Sequence, residues 1–276
     1  MCIRDRFTAI AVFASHGLSE TIAAMVVAQV IATTAISAAG WAAFRRFPQH
    51  ASVSLAEERR DILAFVGQST AATAVISLTA PLSLLVLGRV SSATEVAYYR
   101  AAMSPQQAFA VVSAPARLIL LTEQTRDWER GTRDAVFAGV SRYMLGMAAL
   151  AVVILPPLLI FTPELAKLLF SAKNVGAVDA TRIVIVAGAL RMVYGWTKSF
   201  PVSIGRPALR IWTHGVELLV LIPLVAILGK EWGATGAASA VLASSVAFCV
   251  YWTFLFLRIR REPAPAGATF VEAALP

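Results

Sequence analysis

Two charged residues stand near the middle of long apolar runs, Arg191 and Glu217. A charge at mid-bilayer costs at least about 2.5 to 3.5 kcal/mol on insertion scales, so such a residue is a functional candidate by default. Tyr194 and Lys198 follow Arg191 at i+3 and i+7, which at about 100° per residue places all three on one helical face. Two cations and a phenol suit phosphate oxygens, because guanidinium and ammonium groups both bind them. The plainer reading is that Arg191 pairs with Glu217 and that Lys198 snorkels to the interface. Glu217 itself lies three residues after His214, a spacing suited to relaying a proton or binding a coupling cation. That pair also reads as a simple counter-charge to Arg191. Between them the two readings leave Glu217 and His214 as coupling candidates.

A third polar stretch carries Arg100, Gln106, Gln107, Ser113 and Arg117. Polar side chains inside an apolar helix face a bundle interior or an aqueous cavity, so Arg100, Gln106, Gln107 and Arg117 join the cavity candidates. The alternative is that Arg100 and Arg117 only anchor opposite ends of the helix. Catalytic signatures are absent: there is no HExxH, GxSxG or phosphate-binding P-loop. Cys2 and Cys249 form no disulfide framework and no zinc spacing. No metal or cofactor is expected, and no enzymatic activity.

These residues are carried by an unusually apolar chain. Of its 276 residues 58% are hydrophobic and only 14% charged, with a mean hydropathy of +0.71. Seven apolar stretches, at 20–44, 62–87, 97–121, 136–161, 180–203, 209–228 and 234–257, each reach the about 20 residues a spanning helix needs. Lipid offers no partner to a backbone amide, so they read as helices. The fold class is all-α, a polytopic transmembrane bundle of about seven spans.

Arginine fixes the expected orientation. Arg45, Arg46, Arg59 and Arg60 follow the first span; Arg126, Arg130 and Arg133 the third; Arg206 and Arg210 the fifth; Arg258, Arg260 and Arg261 the seventh. The other gaps hold Arg89, then Lys167 and Lys173, then Lys230. The first set is assigned to the cytoplasm, with the C-terminus. The net charge of +8 sits in those loops, where orientation and anionic headgroups account for it, and no nucleic-acid-binding pattern accompanies it.

Residues 1–17 open on MCIRDR, which resembles translated sequencing-adapter sequence and is no secretory signal; the segment reads as a truncated or artefactual N-terminus. Prolines 81, 105, 115, 156, 157 and 223 fall inside spans and each removes a backbone donor. The Pro/Ala/Gly-rich end at 259–276 reads as a flexible cytoplasmic tail.

Three blocks resemble one superfamily, the multidrug/oligosaccharidyl-lipid/polysaccharide exporters, and within it the bacterial polysaccharide and O-antigen flippases. ILAFVGQSTAATAVISLTAPLSLLVLGRVSSATEVAYYRAA at 62–102 resembles the family's seventh helix, its GR turn and the start of the eighth. LLFSAKNVGAVDATRIVIVAGALRMVYGWTKSFPVSIGRPALR at 168–210 is similar to a block closing on a GRP loop, and GKEWGATGAASAVLASSV at 229–246 to a small-residue helix that packs closely. Many members carry an Asp five residues before the Gly of the GR turn, where this chain has Ser83; that acid's role does not carry over.

The family has twelve to fourteen helices in two bundles. The resemblance therefore implies that 18–44 is the last helix of an N-terminal bundle, 45–61 a cytoplasmic inter-bundle linker, and 62–258 a six-helix, MATE- and flippase-like C-terminal bundle. It implies the rest of an N-terminal bundle as a partner, the bacterial inner membrane as location, and alternating access as mechanism. The implied substrate is an undecaprenyl-pyrophosphate-linked glycan for polysaccharide or lipopolysaccharide synthesis. Alternatives are a cation-coupled drug or lipid II exporter of the same superfamily, a membrane glycosyltransferase or polymerase, and a non-transporting scaffold.

Overall fold

The computed structural model describes residues 18–46, 59–170 and 176–262, and every regular element among them is helical. The N-terminal segment 1–17, the interior of the expected linker at 47–58 and nearly all of the expected tail, 263–276, lie outside the described residues. The chain divides into two compact units, Met1–Ala56 and Glu57–Pro276.

The first unit contains α1, Leu18–Phe44. Val26, Val27, Val30, Ile31 and Ile36 are all exposed, as befits a helix whose solvent is hydrocarbon. At its C-terminal end Trp41 and Phe44 stack at 6.0 Å and Arg45 sits over the Trp41 ring at 5.5 Å. Such an aromatic and cationic pairing suits a headgroup interface.

In the second unit α2, Arg59–Val90, leads to three short helices: α3, Ala93–Ala102; α4, Ser104–Val112; and α5, Ala114–Glu129. The sequence predicts one span at 97–121, and proline divides it. Pro105 and Pro115 each occupy the first turn of a new helix, where the missing N–H is harmless, but each denies a bond to the carbonyl four residues back. The junction residues Met103 and Ser113 keep right-handed helical angles, so the path bends without reversing. By contrast Pro81, Pro156, Pro157 and Pro223 lie within continuous helices.

Next come α6, Arg133–Ile160, and α7, Thr162–Phe170. The predicted fifth span, 180–203, is also broken: α8, Val178–Val193, ends at Tyr194, a 3-10 turn covers Gly195–Lys198, and α9 covers Phe200–Ser203. The break is held from outside, for the Tyr143 hydroxyl donates to the Met192 carbonyl at 3.1 Å. It also needs Gly195, where a Cβ would collide with that hydroxyl.

The last element, α10, runs over Ala208–Arg261, but within it Trp232 and Gly233 leave helical geometry, with Gly233 at φ 53°. His214 and Phe248 would be about 50 Å apart along a straight helix; their rings are 5.0 Å apart. The element is therefore a hairpin of two antiparallel legs, matching the predicted spans at 209–228 and 234–257. Glu95 accepts the Ala234 N–H at 2.7 Å and ties α3 to the turn.

Among the described residues four helices are long and apolar enough to cross a membrane, within Val26–Phe44, Arg59–Val90, Arg133–Ile160 and Ala208–Arg261. The last contains both hairpin legs; the predicted third and fifth spans have no single helix of that length.

The basic residues of the second unit separate by end. At one end Arg133 donates to the carbonyls of Ile259 and Glu262 at 3.0 and 2.9 Å, and Arg206 pairs with Glu262 at 2.8 Å. Arg126, Arg130, Arg210 and Arg258 lie within two turns of these. At the other end are the hairpin turn with Lys230, the α2–α3 junction with Arg89, and the approach of Gly176 to Tyr98. An aromatic cluster of Phe137, Trp196, Phe200, Trp252 and Phe256 fills the arginine-rich half, with Trp196 and Phe256 ring centroids 5.1 Å apart. A cluster dominated by alanine, including Ala180, Ala187, Ala237 and Ala238, fills the other.

Candidate functional site, a cationic cavity

Between these two clusters lies a cavity of about 240 Å³ whose polar lining includes Gln106, Gln107, Arg191, Lys198, His214 and Glu217. A smaller adjoining space of about 90 Å³ brings in Arg117 and Tyr194. The site is built from breaks in helices. Proline supplies those in the α3–α5 path, and the end of α8 supplies the third.

Arg191 is in the last turn of α8, and both hairpin legs hold it. Its Nη2 pairs with Glu217 Oε1 from the first leg. From the second leg, Ser245 Oγ accepts from its Nε at 3.2 Å and the Phe248 ring lies 4.5 Å from its guanidinium carbon. The second carboxylate oxygen of Glu217 meets His214 Nδ1 at 2.9 Å, and His214 packs on the same Phe248 ring. A buried charge survives in a low-dielectric interior only when paired and hydrogen-bonded; this network satisfies that condition for Arg191 and Glu217 together.

The other two cations are used differently. Arg117 donates to the carbonyls of Ala110 and Ser113 at 3.1 and 3.4 Å, in α4 and at the break before Pro115. It is thus a strut of the α4–α5 junction, with further guanidinium donors beside the cavity. Lys198 is exposed in the cavity and, among the described residues, has no hydrogen-bond or ion-pair partner. With Glu217 offsetting Arg191, the net positive excess comes from Lys198 and Arg117.

Two sequence expectations need correction. Arg191, Tyr194 and Lys198 do not share a helical face, because α8 ends at Val193; Tyr194 caps it and its hydroxyl meets Thr253 Oγ1 at 2.7 Å. They converge through the 3-10 turn instead. Arg100 is not in the cavity: its neighbour Tyr99 points inward, and Arg100 lines a separate surface groove with Arg89.

The sequence reading also missed participants. The Tyr99 hydroxyl donates to Ser83 Oγ at 3.1 Å and both line the cavity, so the position where many flippases carry Asp does face this space. Ser245 and Phe248 were hidden in a helix read only for packing; their spacing of three residues, one face, was the available signal.

A helical chain this apolar, enclosing charged side chains between its helices, is a multi-pass membrane protein. Over residues 3–118 it matches the polysaccharide biosynthesis protein family, that of the polysaccharide and O-antigen flippases. The match falls on that stretch, which runs through α1 to Leu118 in α5; the blocks at 168–210 and 229–246 lie beyond it. No curated protein and no solved structure matches the chain.

Proposed function

We propose that the chain is part of a flippase for lipid-linked oligosaccharides, carrying a polyprenyl-pyrophosphate-linked glycan across the bacterial inner membrane by alternating access. The observation that carries this reading is Lys198, an unpaired cation opening into a cavity that Arg117 and Arg191 also line. A pyrophosphate brings several anionic oxygens, and a site with a free ammonium and spare guanidinium donors complements it. Glu217 gives the site a second state: a phosphate approaching Arg191 competes with the carboxylate, and a carboxylate displaced from Arg191 is left to His214 or to a proton. The two hairpin legs that hold Arg191 then no longer share one cation. The match to polysaccharide biosynthesis proteins supports the substrate class.

A second reading, a cation-coupled exporter of the same superfamily, is favoured by the His214–Glu217 contact at 2.9 Å, which supplies a titratable pair without requiring a phosphate.

The test is titration of the purified chain with a short-chain polyprenyl pyrophosphate and, in parallel, the corresponding alcohol. The pyrophosphate should bind and the alcohol should not, with Lys198→Ala weakening binding about tenfold, about 1.4 kcal/mol. Equal binding of both compounds, or full binding by a Lys198→Ala/Arg117→Gln double variant, overturns the reading.

A further inference from the structure

The α2–α3 pair presents two different faces. One carries Ser83 and Tyr99 into the cavity. The other forms an open groove lined by Pro81, Leu84, Leu85, Gly88 and Val96, with Arg89 and Arg100 beside this apolar floor. Leu85 is 69% exposed, and both arginines are exposed. Among the described residues neither guanidinium has a hydrogen-bond or ion-pair partner.

Each of these two cations stands in the last turn of its helix, where it complements the helix dipole, but the explanations that serve the other arginines do not extend to them. They lie at the arginine-poor end of the second unit, so the distribution that orients a membrane protein would favour their absence. They pair with no acid and brace no broken helix, unlike Arg191 and Arg117. What they share is the head of an apolar trough that runs from Pro81 to Gly88, about 10 Å along α2. Gly88 lies on the floor beside Val96: a Cβ there would meet the Val96 side chain at 3.7 Å, an ordinary contact.

We propose that this groove is a binding site for an anionic phospholipid of the leaflet at the arginine-poor end, its phosphate on Arg89 and Arg100 and an acyl chain along Pro81, Leu84, Leu85 and Gly88. Guanidinium groups match phosphate oxygens with paired, charge-assisted hydrogen bonds. The commitment to a phospholipid rests on that two-part complementarity: two unpaired cations at one end of a strip of purely apolar side chains. The site is separate from the cavity. Because Ser83 and Tyr99 alternate in sequence with groove residues, a lipid seated here packs on the outer side of the helices whose inner side lines the cavity.

The experiment is native mass spectrometry of the purified chain with phosphatidylglycerol, phosphatidylcholine and a polyprenyl monophosphate. Phosphatidylglycerol should be retained at least fivefold better than phosphatidylcholine. The preference should be lost in an Arg89→Gln/Arg100→Gln variant and kept in Arg182→Gln, which removes an exposed cation outside both the groove and the cavity. A Gly88→Leu variant, which fills the trough and leaves both cations, should also lose retention. Circular dichroism and size exclusion verify that each variant keeps its fold. No headgroup preference, or a preference surviving both groove variants, overturns the proposal. Displacement of phosphatidylglycerol from the groove by equimolar polyprenyl monophosphate would overturn the choice of a membrane phospholipid as occupant.

Discussion

Glu217 and Lys198 face the same cavity, yet replacing them should have opposite consequences. The Glu217 side chain is 5% exposed and supplies the counter-charge for Arg191, so Glu217→Ala strands a buried guanidinium, at a cost of about 3 to 5 kcal/mol. Glu217→Gln keeps an acceptor and should cost less. Lys198 has no partner to lose, so Lys198→Ala should change stability by less than about 0.5 kcal/mol while weakening pyrophosphate binding. Unfolding of the detergent-solubilised variants by denaturant checks both; equal losses for Glu217→Ala and Lys198→Ala would contradict the division into structural and ligand-facing charges. Arg191, Lys198, His214 and Glu217 were legible in the sequence because charge inside an apolar run is rare. Arg100 satisfied the same rule and was misplaced, since the rule says only that a polar side chain needs company, not which face provides it. Arg117 was legible as a cavity candidate but not as a strut, because its reach back across the α4–α5 junction to Ala110, seven residues away, depends on the path of the broken helix.

At the scale of elements, the breaks matter more than the helices. Those at Pro105 and Pro115 followed from proline chemistry. The end of α8 at Tyr194 did not, because no residue there forbids a helix; Tyr143, far away in sequence, takes the Met192 carbonyl. Pro156 and Pro157 show the converse, lying inside a helix that continues. The hairpin turn depends on Gly233, whose φ of 53° costs an L-residue about 1 to 2 kcal/mol, and where a Cβ would meet the Glu95 carboxylate. Gly233→Val should therefore destabilise by more than that backbone cost alone, and Glu95→Ala should recover part of the loss by making room. Thermal unfolding of the single and double variants measures the coupling. Additive losses would mean that Glu95 and Gly233 do not meet.

For the whole molecule, the positive-inside reading and the geometry address different questions and agree on one point. The sequence assigns arginines to alternate gaps; the folded second unit gathers the gap residues around Arg133, Arg206 and Glu262 at one end, and those around Arg89 and Lys230 at the other. The apolar runs made the helical class legible throughout, because lipid leaves no other way to satisfy the backbone. The number of spans was less legible, since a hydropathy run does not reveal whether it folds as one helix or as a chain of short ones. Cysteines placed at Arg89 and at Arg260, on a background without Cys2 and Cys249, should react with a membrane-impermeant thiol reagent from opposite sides. Labelling of both from one side would contradict the two-ended arrangement.

The most direct test of the central claim, that this cavity receives a pyrophosphate, is ligand protection of a cysteine placed within it. Gln107 lines the cavity and is exposed, so Gln107→Cys on the cysteine-free background should be shielded from a small thiol reagent by polyprenyl pyrophosphate and not by the polyprenol, while Arg100→Cys in the outer groove keeps its labelling rate. Protection of both positions, or of neither, would contradict the account.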